Sequence, residues 1–72
     1  MKVKVYYMVL EEKFVEVNNE YEKLLDDDWC AENEREESLL TDRIAEEVDE
    51  TLPRHADLVA IWSEDNIPLY EN

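Results

Sequence analysis

Apolar and polar positions alternate from the start of the chain: KVKVYYMVL places Val3, Val5, Tyr7 and Val9 on one side of a period-2 pattern and Lys2, Lys4 and Tyr6 on the other. That periodicity predicts a half-buried β-strand. After Glu11-Glu12, KFVEV repeats the alternation with Val15 and Val17 inward. Two such runs across so short a gap predict a hairpin turning at Glu11-Glu12, although glutamates are poor turn residues. The chain has no glycine, so Asn and Asp must supply any left-handed turn position.

The period then changes. Asn18-Asn19 offers an N-cap, with Glu22 three residues after Asn19, and Tyr21, Leu24, Leu25 and Trp29 follow at helical spacing, which predicts a short first helix. A stronger pattern runs from about Glu34 to Leu52, with Leu40, Ile44, Ala45, Val48 and Leu52 on one stripe and Pro53 as the stop signal. Its opposite side holds Asp42, Arg43, Glu46, Asp49 and Glu50.

DLVAIWS returns to β composition, and Glu64-Asp65-Asn66 separates it from IPLY, where Pro68 suits an edge strand. The predicted order is ββααββ without repeat, linker or low-complexity segment. The expected architecture is α+β: one antiparallel four-stranded sheet with both helices packed on one face, in a single domain spanning residues 1–72. At 72 residues a single core buries roughly 60% of the unfolded surface and leaves little room for a deep pocket.

Charge changes the picture most. With 21 acids against 7 bases the formal net charge is −14, well beyond the range of roughly 2–8 in magnitude that suits a small soluble domain. Such a charge argues against nucleic acid or an anionic membrane as the direct ligand, because phosphate binding depends on Lys and Arg displacing counterions. A basic protein surface is the natural complement. The charge is also segregated: residues 1–17 are neutral, whereas residues 18–53 hold fourteen acids against Lys23, Arg35 and Arg43 and so carry −11. Within that half, DDDWCAENEREE (Asp26 to Glu37) packs seven carboxylates around one arginine.

Local rules are broken there on this reading. Asp26, Asp27 and Asp28 fall at the C-terminal end of the predicted first helix, where the macrodipole disfavours anions by about 0.3–1 kcal/mol each. Asp42 with Glu46, and Glu46 with Glu50, are like-charge i,i+4 pairs that cost a few tenths of a kcal/mol apiece. Repeated violations in one region point to a function located in it. Carboxylates spaced a few ångströms apart on helices match the charge of nucleic acid, about one phosphate per 1.7 Å of duplex axis, and suit a groove lined with Lys and Arg.

In size, acidity and lack of a catalytic motif the chain is similar to phage-encoded DNA-mimic inhibitors, the class that includes anti-restriction, anti-CRISPR and uracil-glycosylase-inhibitor proteins. The resemblance is one of composition and carries no residue motif. It implies a noncatalytic inhibitor from a phage or other mobile element that occupies the basic nucleic-acid-binding groove of a defence or DNA-processing protein. The expected contact centres on Asp26, Asp27, Asp28, Glu32, Glu34, Glu36 and Glu37, is extended by Asp42, Glu46, Asp49 and Glu50, and uses Trp29 as an aromatic anchor.

Three other readings stand beside it. Asp26, Asp28, Glu34 and Glu37 fall at positions 1, 3, 9 and 12 of a twelve-residue calcium loop, but Cys30 and Ala31 stand where oxygen and glycine are required. No metal or cofactor is therefore expected. Glu37-Ser38-Leu39 faintly resembles the modified serine motif of acyl carrier proteins, an all-helical family that the β patterns oppose. A bland regulatory or adaptor domain would bind a protein, or a second copy of itself, through an outer sheet face bearing Tyr6, Met8, Leu10, Phe14 and Trp62 or Tyr70, with the acids serving solubility.

Catalysis is not expected. Cys30 is the single cysteine, so an intrachain disulfide is impossible, and its acidic neighbours disfavour the thiolate. His55 stands near Asp57 alone, and a phosphate-cradling glycine loop cannot exist without glycine. A reducing cytoplasm fits this cysteine usage, and no apolar run approaches the roughly 18 residues of a membrane span.

Overall fold

The computed structural model describes residues 1–8, 11–54 and 56–71. Strands β1 (Lys2–Tyr7) and β2 (Glu11–Glu16) are followed by a 3-10 segment (Asn19–Leu25), helices α1 (Asp27–Glu32) and α2 (Glu34–Asp49), and strands β3 (Leu58–Ser63) and β4 (Pro68–Glu71). All four strands form one antiparallel sheet in the order β2-β1-β3-β4. The α+β architecture and the ββααββ order expected from the periodicities are what the chain adopts.

The alternation in β1 sets the core. Val3 pairs with Val15 and Ser63, and Val5 with Lys13 and Ile61, so the inward side of the central strand meets inward residues on both neighbours. Val3, Val5, Tyr7, Leu58, Ile61 and Leu69 from the sheet enclose one cluster with Tyr21 and with Leu40, Ile44 and Val48 of α2. The α2 residues recur at i, i+4 and i+8, one stripe of a 3.6-residue period. Burying that stripe against the sheet fixes the helical elements on a single face, and Trp29 and Leu24 pack against its margin.

Several boundaries differ from the sequence reading. Glu11 and Glu12 are not the turn but the first residues of β2, paired with Tyr7 and Tyr6; they suit a solvent-exposed edge strand, where charge discourages pairing with another chain. α2 ends at Asp49 and leaves Leu52 half-buried against the core beyond it. The positive-φ position expected of Asn or Asp is Asn66, at φ 64° in the β3–β4 connection. There the Ser63 hydroxyl accepts the backbone N–H groups of Asp65 at 3.2 Å and Ile67 at 3.1 Å. Val9, Leu10 and His55, singled out above, lie outside the described residues.

The largest correction concerns the first helix, which is two elements. Asn18 Oδ1 accepts the Glu20 N–H at 2.9 Å and starts the 3-10 segment. At Asp26 the backbone turns extended (φ −99°, ψ 104°), and its side chain accepts from Asp28 and Trp29 to begin α1. Asp26 is therefore an N-cap, with Asp27 and Asp28 in the first turn of a new helix. The macrodipole favours anions at that end by about the 0.3–1 kcal/mol that it would have cost at the other. Helical spacing alone ran the two pieces together because Tyr21, Leu24, Leu25 and Trp29 keep one apolar spacing across Asp26, and the preference of aspartate for caps does not mark which of three successive aspartates starts a new helix.

Candidate functional site

Each residue of the expected contact lies in the helical layer. Asp26 caps α1, Asp27 and Asp28 open it, and Glu32 closes it, all four exposed. Glu34, Glu36 and Glu37 form the first turn of α2; Glu34 and Glu36 are exposed and Glu37 is half-buried. Asp42, Glu46, Asp49 and Glu50 are exposed along the remainder, and Trp29 is half-buried.

The set wraps around α2 instead of lying on one plane. Glu36, Asp42 and Glu46 border a groove with Trp29, while Glu46 and Asp49 line a second groove with Met8, Leu58 and Tyr70. Glu37 turns toward Leu69 and Tyr70 at the far side.

Charge in this layer has two origins. The seven carboxylates of the Asp26–Glu37 stretch surround two successive helix N-termini, so much of that density agrees with local helix electrostatics. The second half of α2 does not. Its last turn has no basic residue, while Glu46, Glu47, Asp49 and the C-cap Glu50 crowd the end where the macrodipole opposes them.

Little of this charge is neutralised from within. Lys2 stands over the Phe14 ring, Lys4 over Trp62 and Lys23 over Trp29, with Nζ 5.7, 5.2 and 5.7 Å from the centroids. Lys13 Nζ donates to the Thr51 carbonyl at 2.7 Å. The lysines thus engage rings, a backbone carbonyl and, for Lys4, the Asn66 side-chain oxygen at 2.8 Å, and among the described residues the helical layer makes one ion pair, Arg43 to Glu20 at 3.2 Å.

The outer sheet face is of a different kind. Tyr6 and Trp62 stack with centroids 6.4 Å apart, and Phe14 is 61% exposed beneath Lys2. Tyr70, one of the two alternatives for this face, pairs with Ile61 and packs against the core instead. The register shift between Ile61 and Trp62 places it there, and a bulge of that kind has no signature in simple alternation. Met8 follows β1 and lines the groove with Asp49.

Two ionisable groups inside the layer, Cys30 and Tyr21, are held toward their neutral forms. Burial, then the carboxylates of Glu37, Asp27 and Asp26, push the Cys30 thiol up, which suppresses the thiolate needed for nucleophilic chemistry. Tyr21, 4% exposed, has its phenol pushed up to about 12, first by burial and then by the adjacent Glu47 carboxylate. Glu47 Oε2 is enclosed with no hydrogen-bond partner. Sequence reasoning passed over Glu47, although its spacing of three from Ile44 and seven from Leu40 puts it beside the buried stripe. The expected contact also leaves out Lys23, Leu39 and Arg43, which share the groove with Trp29.

Among the described residues, no group of three or more His, Cys, Asp and Glu is arranged to hold a metal ion, and no helix is long and apolar enough to cross a membrane. The Asp26–Glu37 stretch is a cap and two helices joined at Asn33, not an open ligand loop. No family model, curated protein or solved structure matches the chain.

Proposed function

We propose that this chain is a noncatalytic interaction protein whose acidic helical layer engages the basic, nucleic-acid-binding surface of a protein partner. The observation that carries the reading is the layer's exposed carboxylates, met from within by a single ion pair among the described residues. On α2, five exposed carboxylates, Glu34, Glu36, Asp42, Glu46 and Asp49, occur over 16 residues, roughly 24 Å of helix axis. That is about one per 5 Å, the same order as the ~3.4 Å between phosphates along one strand of a duplex, distributed around the helix and interrupted by Arg35 and Arg43. Binding would be competitive with nucleic acid, through occupation of the same cationic groove and not through any bond made or broken.

The test begins with a protein captured from the native host. Release of that protein by duplex DNA and by rising ionic strength is the expected result. The paired substitution Glu46→Lys and Glu50→Lys turns the Asp42–Glu46 like-charge pair into an opposite-charge one and puts cations at the C-terminal end of α2; an unchanged urea midpoint separates loss of capture in this variant from unfolding. Capture that survives both the variant and high salt would overturn the reading. Loss of capture on Phe14→Ala instead would move the site to the outer sheet face, where Phe14 is exposed.

A further inference from the structure

Within the acidic layer one groove departs from a simple charged surface. Between the 3-10 segment, α1 and α2 lies an open depression of about 500 Å³ lined by Trp29, Leu39 and Leu40. Leu39 is 60% exposed there, on a helix whose other outward positions are mostly charged. Glu36, Asp42 and Glu46 border the same groove. A surface serving charge alone has no use for an apolar floor.

The groove already holds cations of its own. Lys23 Nζ stands 5.7 Å from the Trp29 centroid, and Arg43 is held by Glu20 at the border. Apolar floor, indole face and surrounding carboxylates together suit a side chain with an aliphatic stem and a flat cationic head. Arginine fits better than lysine: its guanidinium stacks on an indole, is less strongly hydrated, and forks onto a carboxylate. Its methylenes can lie along Leu39 and Leu40.

We propose that this groove is the anchoring pocket for an arginine side chain of the protein partner, which displaces Lys23 from the face of Trp29. The proposal rests on the interaction reading above and deepens it. Long-range charge brings the basic surface in, and the pocket supplies the short-range contact by which one basic surface is preferred over another.

Nona-arginine and nona-lysine peptides are suitable probes, read by NMR at the two tryptophan indole N–H groups and the Leu39 methyls. Trp62 lies on the outer sheet face and serves as the internal reference. The arginine peptide should shift Trp29 and Leu39 saturably, leave Trp62 unmoved, and bind about threefold or more tightly than the lysine peptide. Leu39→Ala, at an exposed position, should abolish that preference. Lys23→Met should tighten binding more than Lys2→Met, which removes the same charge from the outer sheet face.

Equal binding of both peptides, with Trp29 and Leu39 unmoved, would overturn the pocket and leave the acidic-layer reading standing. Binding of neither peptide at low ionic strength would remove both.

Discussion

Asp26 Oδ1 accepts the backbone N–H of Asp28 at 3.0 Å, and this contact decides how the densest acidic stretch relates to stability. The same oxygen accepts the Trp29 N–H at 3.2 Å, so two otherwise unpaired donors of α1 are satisfied by one carboxylate. Asp26→Ala should lower unfolding free energy by about 1 kcal/mol, and Asp26→Asn should retain most of it. Urea denaturation measures the difference; an alanine variant as stable as the parent would show that the cap contributes nothing.

Charge neutralisation at the two ends of the helical layer should have opposite signs. Asp27→Asn, in the first turn of α1, removes a favourable anion and should cost about 0.3–1 kcal/mol. Asp49→Asn and Glu50→Gln, at the end of α2, remove unfavourable ones and should each stabilise by a few tenths of a kcal/mol or more. Urea midpoints of the three variants test the pattern, which fails if all three shift the same way.

Salt should move folding and binding in opposite directions. Screening of a −14 net charge relieves self-repulsion, so the urea midpoint at neutral pH should rise as the Debye length falls from about 10 Å at 0.1 M to about 3 Å at 1 M. Affinity for a basic partner should fall over the same range. A midpoint indifferent to salt would mean that self-repulsion in the helical layer is already dissipated.

The Tyr21 phenol gives an alkaline signature. Its pKa is about 12 in the folded chain against 10.0 for the free side chain. The folded state therefore binds the proton more tightly, and its contribution is complete below pH 10 and lost as pH rises toward 12. The loss should be on the order of 1–3 kcal/mol. Tyr7, whose hydroxyl donates to Glu11 at 3.0 Å and whose pKa is also raised, acts in the same direction. Tyr21→Phe should flatten the alkaline decline in stability between pH 10 and 12 while leaving Tyr7's share; an unchanged slope would show that Tyr21 titrates normally.

The first strand and the long helix were legible because β1 and α2 each obey one period: Val3, Val5 and Tyr7 at spacing two, Leu40, Ile44 and Val48 at spacing four. Legibility ended where single atoms or small irregularities decide the outcome. The Asp26 cap divides what spacing alone joins, and the register shift beside Ile61 turns Tyr70 to the core. The acidic residues were visible as a set, but the groove was not. It joins Lys23 and Trp29 to Leu39 and Arg43 across three elements, and spacing along one element does not show which of its residues will meet another. The hairpin turn was misplaced because glutamates on an edge strand and in a turn look alike in sequence.

The division between a neutral first hairpin and a helical layer carrying −11 makes the molecule a permanent electric dipole as well as an anion. A cationic surface approaching within a Debye length, about 8–10 Å in physiological salt, exerts a torque on it before any side chain touches. The helical layer is turned forward during that approach, and the sheet trails. For a basic partner of the kind proposed, that torque shortens the orientational search that ordinarily slows protein association.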